Sequence, residues 1–154
     1  MIKDIREVLH LYYGQEFEHE DDFKSATRHK LNGDSIMAWD DNRVLLLRSL
    51  IDIKDEELME LCKIYNPLPF NGLHQDKWLI LRESVGRIKP TKYVLVQNEK
   101  KKAFFCIEMN DGGVLFQQDD EIQEWHNSSL CFFYLLQKGF DIFNLIERKM
   151  AQKV

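Results

Sequence analysis

His19 stands among Glu16, Glu18, Glu20, Asp21 and Asp22, and imidazole mixed with carboxylates suits zinc, manganese or iron. In an extended segment Glu18 and Glu20 share one face and His19 points to the other. That alternation separates the donors, so no metal is expected. The stretch reads as a loop or as a strand edge whose charge discourages pairing with other chains. His74 and Asp76 lie two residues apart, after the loop at 67–72 and before Trp78. Such a pair has the makings of a general base and its orienting carboxylate in a small hydrolase. No serine or cysteine nucleophile is identifiable beside it. His29, within Arg28-His29-Lys30, and His126, after Trp125, fit surface or interface positions, and His10 falls on the first expected helix.

Cys62, Cys106 and Cys131 are far apart, and each sits in an apolar run. Without a CxxC pair they write neither a zinc knuckle nor a redox site, and they are expected as small core residues of a reducing compartment. Gly-rich phosphate loops, HExxH, GxSxG and EF-hand loops are all missing. No cofactor is expected.

Basic residues cluster in the middle of an acidic chain. Residues 1–60 hold 15 acids and 8 bases, residues 61–105 three acids and nine bases, and residues 106–154 eight acids and four bases, with a net charge of −5. Arg87, Lys89, Lys92 and the triplet Lys100, Lys101 and Lys102, with Tyr93, Phe104 and Phe105 nearby, are the best candidates for contacting nucleic acid. Lysines neutralise phosphates and exposed aromatics stack on bases. Against this, the triplet sits at a turn where solvated charge is ordinary, and strand alternation sends at least one of the two phenylalanines into a core.

The elements that must hold these residues follow from periodicity. Ile2, Ile5, Val8, Leu9 and Tyr12 predict an amphipathic helix over 2–13, ended by Gly14. Asn32-Gly33 predicts a two-residue hairpin turn between strands at 23–31 and 36–39, and Asp41-Asn42 a turn into a third strand at 43–50. Leu58, Leu61, Cys62 and Tyr65 mark a helix from Asp55 to Tyr65, stopped by Asn66-Pro67. Residues 78–81 suit either a strand or part of a helix. Segments 91–96, 103–109 and 114–117, separated by polar turns, predict a second meander. Asn127 or Ser128 caps a helix over 130–137, Gly139 closes it, and a last helix begins at Phe140.

The expected fold is therefore α+β, with two short antiparallel meanders, flanking helices and a C-terminal helix–turn–helix pair. It forms one domain over 1–154, or two packed subdomains, 1–66 and 91–154, joined by 67–90. The N-terminus is charged from its third residue, and the longest apolar runs are far below the roughly 20 residues of a membrane helix. A cytoplasmic protein with no membrane association is expected.

Three segments resemble a known group. Arg43-Val44-Leu45-Leu46-Leu47-Arg48-Ser49-Leu50 with Asp52-Ile53-Lys54-Asp55-Glu56-Glu57 is similar to the "LLRPLSDMTEEE" stretch of small uncharacterised proteins of Bacteroidales-type phages, prophages and mobile elements. Residues 133–147, from Phe133-Tyr134-Leu135-Leu136 through Gly139-Phe140-Asp141 to Ile146-Glu147, resemble that group's "YLLSKGFDIFGLIE" ending. Ile5-Arg6-Glu7-Val8-Leu9 through Tyr13-Gly14 is similar to its start. Ser49 replaces a frequent proline, Lys54 a capping Thr or Ser, and Arg148-Lys149 a Ser-Gly-like break. The resemblance implies origin in a mobile element and carries over no catalytic residue. With the motifs missing, it implies a non-enzymatic accessory protein with a protein partner; the alternatives are nucleic-acid binding and the His/carboxylate hydrolase.

Overall fold

The computed structural model describes residues 2–71, 77–82, 92–100, 104–110, 113–118 and 128–154. It is an α+β chain with two four-stranded sheets. The chain divides into two compact units, residues 1–50 with 135–154, and residues 51–134. No helix among the described residues is long and apolar enough to cross a membrane.

In the first unit the expected helix over 2–13 is instead two 3-10 turns, Ile5–Glu7 and Leu9–Tyr12. Asp4 caps the first turn and Glu7 bonds back to it, so both side chains are spent locally. Val8 then sits at φ −122°, ψ −5°, outside the helical region, and breaks the run. The inward residues were legible nonetheless, since Val8, Leu9 and Tyr12 are buried.

Strand β1 (Glu16–Glu20) pairs antiparallel with β2 (Ala26–Lys30). Their turn is built by Asp21, whose Oδ1 accepts from Phe23 N at 3.0 Å and Ser25 N at 2.8 Å, with Lys24 at φ +58°. Asn32-Gly33 is no hairpin turn. Asn32 is extended (φ −135°, ψ 179°) and caps a short helix α1 (Gly33–Met37), trading bonds with Ser35. An Asn with a Ser three residues on satisfies a capping box as readily as Asn-Gly satisfies a turn. Strand β3 (Arg43–Leu47) pairs antiparallel with β1, and the final strand, numbered β8 below, pairs parallel with β3. The order β2-β1-β3-β8 puts the acidic strand inside the sheet, where an edge or loop had been expected.

In the second unit α2 (Asp55–Tyr65) runs as its pattern predicted and buries Leu58, Leu61 and Cys62. Strands β4 (Trp78–Arg82), β5 (Lys92–Asn98), β6 (Phe104–Asn110) and β7 (Gly113–Gln118) form an antiparallel meander in sequence order. It has one strand more than expected, because 78–82 settles as strand. The register aligns Ile80, Val96 and Phe105 on one face, and Val94, Ile107 and Phe116 beside them. All but Ile80 are buried. Tyr65 of α2 stacks on Phe116 at 4.6 Å, and Phe70 stacks on Trp78 at 4.4 Å and Phe105 at 5.6 Å. Asn66 Nδ2 donates to Gln118 Oε1 at 2.9 Å.

Helix α3 (Ser129–Gln137) ends in a Schellman cap: Gly139, at φ +74°, donates to Leu136 O, and Phe140 N to Leu135 O. The helix expected after it does not form. Asp141, buried, accepts from Phe143 N, Leu145 N and Ile146 N, which winds the chain around its carboxylate. Asn144 and Lys149 both stand at φ +58°, a conformation incompatible with a continuous helix. The chain returns as β8 (Ala151–Lys153) beside β3. The C-terminus thus completes the first sheet, where residues 91–154 had been expected to pack together. Tyr12, fully buried, locks this return: its hydroxyl lies 3.2 Å from Phe140 O and accepts from Ile142 N at 3.4 Å.

Candidate functional site

Seven consecutive apolar residues, Leu130 to Leu136, lie on one short helix. A helix turns only part of its surface to a core, so a run this long leaves apolar side chains outside unless all its sides are covered. In α3 the buried members are Cys131, Leu135 and Leu136, while Leu130 is 65% and Phe133 55% exposed. These two stand three residues apart, hence on the same face.

Two contacts within the second unit hold that face outward. Cys131 Sγ lies 3.5 Å from the carbonyl oxygen of Leu61, and the Tyr134 hydroxyl donates to Glu60 Oε2 at 2.5 Å, so α3 is fixed to α2 by its inner side and one flank. Ser128 caps the start, its Oγ accepting from Cys131 N at 3.3 Å. Phe132 and Phe133 meet edge to face with centroids 5.9 Å apart. Burial pushes the Cys131 thiol pKa up, and burial with the neighbouring Cys131 pushes the Cys62 thiol further up. Both are poor nucleophiles in that state, as core residues would be.

One carboxylate borders the apolar face. Glu60 touches Tyr134, and Asp55, Glu56 and Glu57 fill the first turn of the same helix, against one lysine, Lys63, in its last turn. Asp55 is paired with Arg82 at 2.5 Å. The arrangement places an aromatic and an aliphatic side chain beside the Glu60 carboxylate.

Arg87, Lys89, Lys101 and Lys102 lie outside the described residues, as do His74, Asp76 and His126. Lys92 opens β5 opposite Met109, and Lys100 is exposed in the turn after β5. Phe105 is fully buried and unavailable for base stacking. On β1 the pairing register sets Glu18 against Arg28 and Val44, and His19 against Thr27 and Arg43. The carboxylates are used by Arg28, which lies 3.2 Å from Glu18 and 4.0 Å from Glu16. No group of His, Cys, Asp or Glu that could hold a metal ion occurs among the described residues. Thr27 Oγ1 and His29 Nε2 are 2.8 Å apart, but both residues are exposed neighbours on an edge strand.

The outward pair Leu130 and Phe133 was not singled out from sequence, although its signal was present. That signal is the seven-residue apolar run, which exceeds what one buried helix face holds. No protein-family model, curated protein or solved structure matches the chain.

Proposed function

We propose that this chain is a non-enzymatic interaction protein of a phage or mobile element, acting in the bacterial cytoplasm, and that the outer face of α3 is its docking surface. The observation that carries the reading is Phe133 and Leu130, more than half exposed on a helix clamped from its other side. Large aromatic side chains at the centre of a patch dominate binding energy when a partner desolvates them. Completing the burial of these two would contribute on the order of 1–2 kcal/mol each. The similarity of residues 133–147 to the mobile-element group begins at this same helix.

The occupant that fits is a segment of another protein with apolar side chains flanked by basic ones, because Glu60 of α2 is hydrogen-bonded to Tyr134 beside the face. Opposite charge at the rim steers encounter and orients the partner. The test is parallel affinity capture from the native host with the wild type, a Leu130→Asp/Phe133→Asp variant, and a Lys24→Ala variant in the β1–β2 turn of the first unit. A defined partner retained by the wild type and Lys24→Ala, lost with the double variant and weakened by Glu60→Lys supports the reading. Equal capture by all four forms would sink it. So would substrate turnover in a broad hydrolase and nucleotide screen that vanished with His74→Ala.

A further inference from the structure

The edge strands of the two sheets are not treated alike. β2 is exposed along its whole length and carries Arg28, His29 and Lys30, and β8 is only three residues long. Charge and shortness are common protections of an edge against pairing with another chain. β4, an edge of the second sheet, has neither. It is of ordinary strand length, and Trp78-Leu79-Ile80-Leu81 is apolar throughout. Its one charge, Arg82, is turned back within the second unit, donating to Ile53 O at 2.7 Å and to Asp55 Oδ1.

The register identifies which main-chain groups of β4 are unused. Glu99 N donates to Lys77 O at 2.6 Å, and these two residues continue the β4–β5 register by one position, so they form a hydrogen-bonded pair. Alternation then gives Leu79–Gln97 and Leu81–Leu95 the bonds inside the sheet. The N–H and C=O groups of Trp78, Ile80 and Arg82 point away from β5, and none of them bonds to another of the described residues. Side chains alternate in step. Trp78, Ile80 and Arg82 take the α2 side, where Trp78 stacks on Phe70. Leu79 and Leu81 take the other face, 45% and 50% exposed, with Leu81 opposite half-buried Leu95. A solvated sheet face ordinarily carries polar residues at such positions.

We infer that β4 pairs with β4 of a second copy of this chain, antiparallel about a two-fold axis at Ile80, joining two four-stranded sheets into one. The strand is complementary to itself in this register, which pairs every residue of β4. Ile80 meets Ile80 of the second copy and Trp78 meets its Arg82, and these pairs exchange the main-chain bonds that β5 leaves unused. Leu79 meets Leu81 of the second copy at the closer, non-hydrogen-bonded positions, so the leucines of both strands close into one apolar cluster. A guanidinium beside the Trp78 ring adds a favourable contact. Five residues a side make a small interface, so a dissociation constant on the order of 10 µM is expected. The contact uses the sheet edge, not the outer face of α3.

The test is the mass of the full chain in solution, by sedimentation or light scattering, from about 1 µM to about 500 µM. The wild type should rise with concentration from 18.4 kDa towards twice that mass. Leu79→Lys with Leu81→Lys sets like charges across the two-fold and should weaken association at least about tenfold. Leu79→Glu with Leu81→Lys sets opposite charges there and should return it to within about threefold of the wild type at low salt. Ile80→Pro, which removes an outward-pointing N–H and no bond to β5, should also give a monomer. A wild type that stays monomeric up to about 500 µM would overturn the inference. So would a dimer that survives both the lysine pair and Ile80→Pro, or a Glu/Lys form no more associated than the lysine pair.

Discussion

Replacing Asp141 by alanine is expected to remove the organiser of the C-terminal return. The carboxylate is 7% exposed and accepts from Leu145 N and Ile146 N at 2.8 Å each, and from Phe143 N at 3.3 Å. Leu145 is fully buried, so its orphaned N–H has no access to solvent, whereas Phe143 and Ile146 are partly open and recover some hydration. A buried donor left unpaired costs about 1–3 kcal/mol, and bonds to a charged acceptor stand at the upper end. The sum for Asp141→Ala is about 3 kcal/mol. Asp141→Asn keeps an acceptor at Oδ1 for Phe143 and Leu145 and sets an amide N–H₂ against Ile146, a loss of about 1–1.5 kcal/mol. With a urea slope of about 2 kcal/mol/M for a chain of this size, the midpoint should fall by roughly 1.5 M for alanine and 0.5–0.75 M for asparagine. Amide exchange at Leu145 and Ile146 should accelerate in the alanine variant. A shift under about 0.3 M for alanine, at unchanged slope, would refute the claim that this carboxylate holds the turn.

Gly139→Ala should cost about 1–2 kcal/mol, because φ +74° is strained for any Cβ and the new atom would lie 2.5 Å from Gln15 Oε1. Gln15 meanwhile donates to Gln137 O at 2.9 Å. In a Gln15→Ala background the clash is gone and about 1 kcal/mol of backbone strain should remain in urea midpoints; a neutral result there would refute the strain. Alkaline pH should destabilise the fold. Burial raises the Cys62, Cys131 and Tyr12 pKa values above those of the unfolded chain, so their contribution is complete below about pH 8.5 and is lost as pH rises beyond it, tyrosine joining near pH 10. Urea midpoints constant from pH 7.5 to 10.5 would contradict this. Titration of labelled single- and double-stranded nucleic acid at low salt should show no saturable binding. Affinity that falls steeply with salt and drops on replacing Lys100, Lys101 and Lys102 would move the function to the central basic region.

Elements whose local pattern and tertiary packing agree were legible from sequence. The three- and four-residue spacing of Leu58, Leu61 and Cys62 gave α2, and the alternation around Val94 and Val96, and around Phe105 and Ile107, gave the second meander. Gly139 was legible because a left-handed residue after an apolar helix has few substitutes. Where one side chain could serve two local structures, sequence left the outcome open. Asn32 could enter a turn or cap a helix, and Ser35 decided for the cap. Phe140, Phe143 and Ile146 have helical spacing, but Asp141 competes for the backbone N–H groups that a helix would use. The parallel pairing of β8 with β3 joins residues about a hundred positions apart, and a three-residue strand gives no periodic signal by which to foresee it.

The account turns on whether the outer face of α3 meets another protein. A photo-reactive amino acid placed at position 133, and separately at Lys24 as a control, would trap that neighbour in the native host on illumination. The account predicts one defined adduct from position 133 with a partner that carries basic residues beside apolar ones, absent from the control and lost when Leu130→Asp is added. No adduct from position 133, the same adducts from both positions, or an adduct only with a second copy of this 18.4 kDa chain would contradict it.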